Sequence, residues 1–183
     1  GGGHGDYHLI VLAPASVQEM ADFVDLGFEL AFRYRNPAMI LADGAIGQMM
    51  EKVVLPPFKP RRTEEEIRKE CPWATTGRFG GRKPNIITSL ELRSEEMEII
   101  NLRIQEKYKK IEESEVRFEE YMLDDAEYAI VAFGSAARIA KKSIEIARSQ
   151  GIKVGLLRPI TLWPFPTKEV QKLGEKMKGI LSL

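Results

Sequence analysis

Residues 8–42 constrain the fold more than any other stretch. "HLIVL" (His8–Leu12) reads as a short buried strand, Val17–Tyr34 as a helix, and "AMILA" (Ala38–Ala42) as a second buried strand. Strand, helix and strand at this spacing form a βαβ unit, which implies parallel pairing and helix-covered sheet faces. Ser16 with Glu19 three positions later predicts a capping box at the helix start. Val17, Met20, Val24, Phe28 and Ala31 share one helix face, while Phe23, Leu26 and Leu30 lie elsewhere. That spread predicts a helix buried on most sides. Asn36-Pro37 ends it, because a residue before proline avoids the helical region.

The pattern recurs in the last third. "YAIVAF" (Tyr128–Phe133) reads as a strand, Ser135–Gln150 as a helix closed at Gly151, and "KVGLL" (Lys153–Leu157) as the next strand. Thr167–Met177 is expected to be a helix with Val170, Leu173 and Met177 inward, followed by a strand at "GILSL". In "RPITLWPFP", Pro159 and Pro164 are expected to stop strand or helix, and Pro166 to sit at a helix opening. Trp163 and Phe165 are expected to pin this corner through their apolar area.

The middle differs. Lys59–Arg93 carries nine basic and five acidic residues with little apolar periodicity, so a structureless functional loop or linker is expected. Ser94–Met122 is expected to be one long helix with a narrow apolar stripe through Met97, Ile100, Ile104, Tyr108, Ile111, Phe118 and Met122. Glu106 with Lys110, and Glu113 with Arg117, stand four apart in the favourable order. So narrow a stripe fits a helix lying across another surface, on its own chain or on a partner.

Composition removes several functions. Lys+Arg and Asp+Glu balance at 27 each, which gives no basic excess for nucleic acid or an anionic membrane. No apolar run approaches a membrane span, and no signal peptide is visible. The single cysteine, Cys71, excludes an internal disulfide framework and a cysteine-ligated cluster or structural zinc site. An intracellular, cytoplasmic protein is expected. Scarce Asn and Gln beside abundant Glu, Lys and Arg lean toward a thermophilic source.

Three places carry candidate chemistry. Gly134-Ser135 sits at a strand-to-helix turn whose N–H groups can bind an anion; a tight turn with a serine cap is the alternative. His4, Gly5 and Asp6 join a flexible backbone to a group that can move a proton near neutral pH; a mobile end or turn is the alternative. Asp43-Gly44 leaves the carboxyl end of the second strand, where ligands of open parallel sheets sit, although Asp43 can equally cap a turn. Two histidines without metal-ligand spacing point to no metal site, and Cys71 lacks a recognisable base.

Taken together, "HGDYHLIVLAPASVQEMADFVDLGFELAFRYRNPAMILADG" and "FGSAARIAKKSIEIARSQGIKVGLLRPITLWPFP" resemble the alpha subunit of 2-oxoacid:ferredoxin oxidoreductases. The first is similar to the later half of that family's pyrimidine-binding thiamine diphosphate domain, the second to a transketolase C-terminal domain. "SLELRSEEMEIINLRIQEKYKKI" resembles the connector helix between them, with Arg103 and Lys107 at its recurrent basic positions. The implied fold is α/β: a parallel-sheet thiamine-enzyme half-domain over 1–58, a connector loop and long helix over 59–122, and a transketolase C-terminal-like domain over 123–183.

The resemblance further implies oxidative decarboxylation of a 2-oxoacid to an acyl-CoA, with electrons passed to ferredoxin. Its cofactors would be thiamine diphosphate with Mg, shared with a beta subunit, and iron–sulfur clusters on partner subunits, with coenzyme A as substrate. The family's catalytic glutamate lies upstream of the matched part, so the catalytic residues are unknown and the isolated chain is expected to be inactive. His4, Gly5 and Asp6 match a His-Gly-acidic turn expected near the cleft or an interdomain contact. Both chain ends have the texture of internal sequence, so a truncated chain is expected. The competing expectations are a non-catalytic oligomerisation scaffold and a subunit of another thiamine enzyme of the dehydrogenase or transketolase type.

Overall fold

The computed structural model describes residue 5, residues 7–75 and residues 77–183. It divides into two units, Gly1–Leu55 with Ile104–Leu183, and Pro56–Arg103.

The larger unit contains two sheets. The first is three-stranded in the order β2-β1-β6, from β1 (Ile10–Leu12), β2 (Ala38–Ile40) and β6 (Thr161–Trp163). β1 pairs parallel with β2, Ile10 opposite Ala38, as the βαβ pattern requires. Helix α1 (Val17–Tyr34) connects them. Ser16 caps it by accepting the Glu19 N–H at 3.1 Å, but the box does not close. The Glu19 carboxylate instead accepts the Ala15 N–H at 2.7 Å and turns toward Arg158.

The face that α1 buries also differs from expectation. Phe23, Gly27 and Leu30 are buried, whereas Val24 and Phe28 stand open to solvent. Burial follows what lies opposite. Leu30 and Ile10 pack with Tyr108 and Ile111 of helix α4 (Ser94–Ser114), with Trp163 against their edge.

The second sheet runs β3-β5-β4-β7, from β3 (Phe118–Tyr121), β4 (Tyr128–Val131), β5 (Val154–Pro159) and β7 (Gly179–Ser182). β4 pairs parallel with β5 and β7. Helix α5 (Gly134–Ser149) lays Ala137, Ala140 and Ile144 against Ile130, Val154 and Leu156. On the opposite face, Leu173 of helix α6 (Thr167–Lys176) packs with Leu157, Ala129 and Leu123. Each fully buried aliphatic side chain contributes about 1.5–3 kcal/mol.

Three expectations need correction here. The long helix stops at Ser114, and Phe118–Tyr121 is a strand antiparallel to β5. Glu113 and Arg117 therefore do not share a helix, and Arg117 pairs with Glu115 at 2.9 Å. The apolar spacing of Phe118 and Met122 fitted helix and edge strand alike, and pairing with β5 decided between them. Second, β5 runs through Pro159 instead of stopping before it. The chain then crosses to the other sheet as β6, antiparallel to β1. Third, Trp163 stacks on His8 with centroids 4.9 Å apart, but Phe165 is half exposed and pins little.

At Gly155 the strand passes close to the β3–β4 link. A Cβ there would stand 2.5 Å from the Met122 carbonyl oxygen and 2.7 Å from Leu123 Cδ2. Glu115, in turn, locks the end of α4 to the end of α1. Its buried carboxylate accepts the Tyr34 hydroxyl at 2.6 Å and pairs with Arg33 at 3.1 Å and Arg117 at 2.9 Å. Burial alone would push this carboxyl up. The Tyr34 hydroxyl and the two guanidinium groups outweigh it and hold the group below the usual carboxylate range.

A carboxylate held low stabilises the fold above its unfolded value, and that stability is lost as pH falls through the folded value. Wild-type stability is thus expected to drop from this site as pH falls from the ordinary glutamate range through the lowered folded value. Glu115→Gln should remove that part of the acid limb in urea titrations at pH 7 and pH 3. An unchanged acid limb in the variant would reject the assignment.

The smaller unit, Pro56–Arg103, corrects the reading of a structureless segment. Helix α3 (Glu64–Glu70) opens with a complete capping box between Thr63 and Glu66. Downstream, Arg82 donates to the Ala74 carbonyl at 2.7 Å. Asn85 donates to the carbonyls of Pro72 and Ala74 at 2.8 and 3.0 Å.

Candidate functional site

β1 and β2 of the first sheet and β4 of the second send their carboxyl ends to one junction. β1 leads through Pro14 and Ala15 into α1, β2 leads into Asp43, and β4 leads into the Gly134-Ser135 turn. Asp43 caps the short helix α2 (Gly44–Gln48), accepting the Ile46 N–H at 2.9 Å. Its second oxygen accepts the Ser135 N–H at 3.2 Å. The hydrogen bond from Ser135, followed by that from Ile46, holds the Asp43 carboxyl below its ordinary value. Gly134 has φ 59°, and a Cβ there would touch Asp43 Oδ2 at 3.6 Å. Two separate sequence candidates therefore meet. The anion at the Gly134-Ser135 turn is the chain's own Asp43 carboxylate.

Beside this contact lies a polar cavity of about 490 Å³ lined by Ser16, Glu19, Glu119, Arg138, Lys141 and Arg158, with Ala15. Arg158 projects from β5 with its side chain only 3% exposed. Its Nη2 donates to Glu19 at 2.7 Å, and its Nε lies 3.3 Å from Glu119. That second contact is an ion pair without hydrogen-bond alignment, since Nε is buried with no partner in line. Lys141 also reaches Glu119. Farther out, Arg138 pairs with Glu51 at 2.5 Å, and Glu51 accepts the Val17 N–H at 3.2 Å. The Arg138 hydrogen bond, then the Val17 N–H, draws the Glu51 carboxyl below its ordinary value.

The cavity's charges are thus committed to one another across the junction. This arrangement fixes two α/β modules in register, and it leaves no carboxylate here poised as a general base.

His4 and Asp6 lie outside the described residues. Gly5 is exposed, and Gly44 is the first residue of α2. Cys71 is buried at the end of α3. Among the described residues no cluster of His, Cys, Asp or Glu is arranged to hold a metal ion, and no helix is long and apolar enough to cross a membrane. Sequence reasoning missed Glu19 as the α1 partner of Arg158 on β5, as well as Glu51, Glu119, Arg138 and Arg158 themselves. One signal was available: an arginine inside "VGLLRP" must be paired if that strand is buried.

Residues 4–123 match the family described as pyruvate flavodoxin/ferredoxin oxidoreductase, thiamine diphosphate-binding. Residues 126–183 match pyruvate:ferredoxin oxidoreductase core domain II. The chain belongs to the 2-oxoacid:ferredoxin oxidoreductase family. Among its relatives, the ketoisovalerate oxidoreductase subunit VorB of Methanothermobacter marburgensis is 51% identical over 175 residues, covering 96% of this chain and 48% of that protein. The 2-oxoglutarate synthase subunit KorA of Methanocaldococcus jannaschii is 34% identical over 194 residues, covering 96% of this chain and 52% of that one. The chain thus spans about half the length of the curated relatives it matches. The structure of 2-oxoglutarate:ferredoxin oxidoreductase from Magnetococcus marinus, which has 2-oxoglutarate, coenzyme A and succinyl-CoA bound, shares the fold with a TM-score of 0.74 and 22% identity. That match covers 99% of this chain and 36% of the other.

As in the sequence reading, the chain is α/β with parallel strand pairs. At this junction the N–H groups that could meet a diphosphate are already engaged within the chain. The turn at Gly134-Ser135 is closed by Asp43, and the N–H groups opening α1 are taken by Glu51 at Val17 and by Ser16 at Glu19.

Proposed function

We propose that this chain is part of an alpha-type subunit of an enzyme that oxidatively decarboxylates a branched-chain 2-oxoacid such as ketoisovalerate. The carbon–carbon bond to the carboxylate breaks, CO2 leaves, and the acyl carbon bonds to the sulfur of coenzyme A. One proton and two electrons are released, the electrons to ferredoxin. The observation that carries the substrate class is the 51% identity to a ketoisovalerate oxidoreductase subunit, against 34% to a 2-oxoglutarate synthase subunit over the same share of this chain.

In this reading, thiamine diphosphate with Mg would be held jointly with a beta subunit and would supply an electron sink for the decarboxylation. Iron–sulfur clusters reside on partner subunits, and the complex works in the cytoplasm. Residues 1–58 contribute the later half of the pyrimidine-binding domain, 59–122 the connector, and 123–183 the transketolase C-terminal-like domain. Asp43, Gly44, Gly134 and Ser135 act as a positioning pin where the two sheets meet.

The test is reduction of ferredoxin or methyl viologen by the assembled complex, with coenzyme A and either 3-methyl-2-oxobutanoate, 2-oxoglutarate or pyruvate. A kcat/KM for the branched substrate at least about tenfold above the others, near 1.4 kcal/mol of discrimination, is expected. A preference for 2-oxoglutarate or pyruvate overturns the substrate class. No turnover with any 2-oxoacid overturns the reaction.

A further inference from the structure

Beyond α2, residues 49–55 run without helix or strand. The Met49 N–H still closes α2 on the Ile46 carbonyl. From residue 50 to residue 55, no backbone group enters a backbone–backbone hydrogen bond among the described residues. Burial does not hold the run either. Only Val53 is partly covered, while Met50 is 97% exposed, Val54 68% and Leu55 75%.

Two side chains hold it instead. Gln18 of α1 takes both backbone groups of Val54. Its amide nitrogen donates to the Val54 carbonyl at 3.0 Å, and its amide oxygen accepts the Val54 N–H at 2.8 Å. The same nitrogen donates to Asp22 at 2.8 Å, which fixes the direction of the amide. Three residues before Val54, Glu51 accepts the Val17 N–H with one oxygen and Arg138 of α5 with the other. All four of these bonds to the run lie at the surface. Exposed pairs contribute little each, and a run with no ladder and almost no buried side chain opens far more readily than a core.

The place of the Glu51 anchor matters. Arg138 lines the polar cavity, and so does Ser16, the neighbour of Val17. The Glu51 carboxylate therefore bridges two points of the cavity's rim, one at the start of α1 and one on α5. Within the cavity, the Ala15 N–H donates to Glu19 at 2.7 Å.

We propose that residues 49–55 are a releasable strap that gates the polar cavity. Fastened, Glu51 ties α1 to α5 across the rim, and Gln18 holds the strap down. Released, the strap carries Glu51 away, and the Val17 N–H, Arg138 and the cavity behind them open to water. The two anchors stand three residues apart on one short run, so loosening one loosens the other.

The test is amide hydrogen exchange resolved to single residues, on the full-length protein with the subunits that co-purify with it. Val54 reports the strap, Ala15 the cavity, and Leu156, fully buried in β5, the core. In the wild type, Val54 is expected to be protected at least about a hundredfold less than Leu156. Glu51→Ala should speed Val54 exchange by about tenfold or more, although Val54 is held by Gln18. Val54→Pro removes the N–H that Gln18 accepts, and should speed Ala15 exchange by about fivefold or more. Neither substitution removes a cavity-lining or buried side chain, so Tm should stay within about 2 °C of the wild type.

Val54 as protected as Leu156 would overturn the release, whatever covers the strap. Unchanged Val54 exchange in Glu51→Ala would show two independent anchors and no strap. Unchanged Ala15 exchange in Val54→Pro would reduce the run to a surface tail that gates nothing. A Tm lowered well beyond that margin in either variant would make the run part of the global fold, which also rejects the proposal.

Discussion

Gly155→Ala is expected to destabilise the protein by about 3 kcal/mol or more, lowering Tm by roughly 6–12 °C. The argument is steric. The new methyl group would stand 2.5 Å from the Met122 carbonyl oxygen, a distance at which something must move. The obstacle is backbone, not the end of a flexible side chain. β5 cannot retreat either, because it is paired with β3 on one side and β4 on the other, and its residues are buried throughout. Met122 holds a left-handed φ of 52° at the point of contact, so its turn has little freedom to shift. Thermal and urea unfolding measure the effect. A variant with wild-type Tm would show that the β3–β4 link yields freely.

Arg158→Ala is expected to cost about 3–5 kcal/mol, because it leaves Glu19 and Glu119 facing each other across a cavity without the buried cation between them. Much of that cost comes from leaving Glu19 with only the Ala15 N–H and Glu119 with only Lys141, not from the lost attraction itself. Combining Arg158→Ala with Glu19→Gln and Glu119→Gln should therefore recover a large part of the loss. Arg158→Lys should fall between, since an ammonium cannot fork toward two carboxylates. Urea midpoints for the set decide. A triple variant no more stable than Arg158→Ala alone would sink the electrostatic account.

The two βαβ patterns were legible in the sequence because they depend on local periodicity, and α1, α5 and α6 fall close to their expected bounds. What sequence reasoning missed depends on pairing between distant residues. Phe118–Tyr121 carries a spacing that suits a helix, and only β5 beside it makes it a strand. Val24 and Phe28 look as buried as Leu30 until one knows that α4 covers the other side of α1. The junction was half legible. Asp43 and Gly134-Ser135 stood out by their turn chemistry, but no periodicity announces that the carboxylate of one fills the N–H pocket of the other. Glu19 was recognised as a capping residue, while its bond to Arg158 spans most of the chain.

The crossing from β5 to β6 bears on how the protein is made. Trp163 closes the first sheet opposite Val11, a partner roughly 150 positions earlier. During synthesis the amino-terminal strands therefore wait, with one edge unpaired, until nearly all of this sequence has left the ribosome. Non-local closure of this kind slows folding and prolongs exposure of a sticky edge. The first sheet therefore closes only after β3, β4 and β5 have been made, and chaperone dependence should concentrate on nascent chains that end short of Trp163.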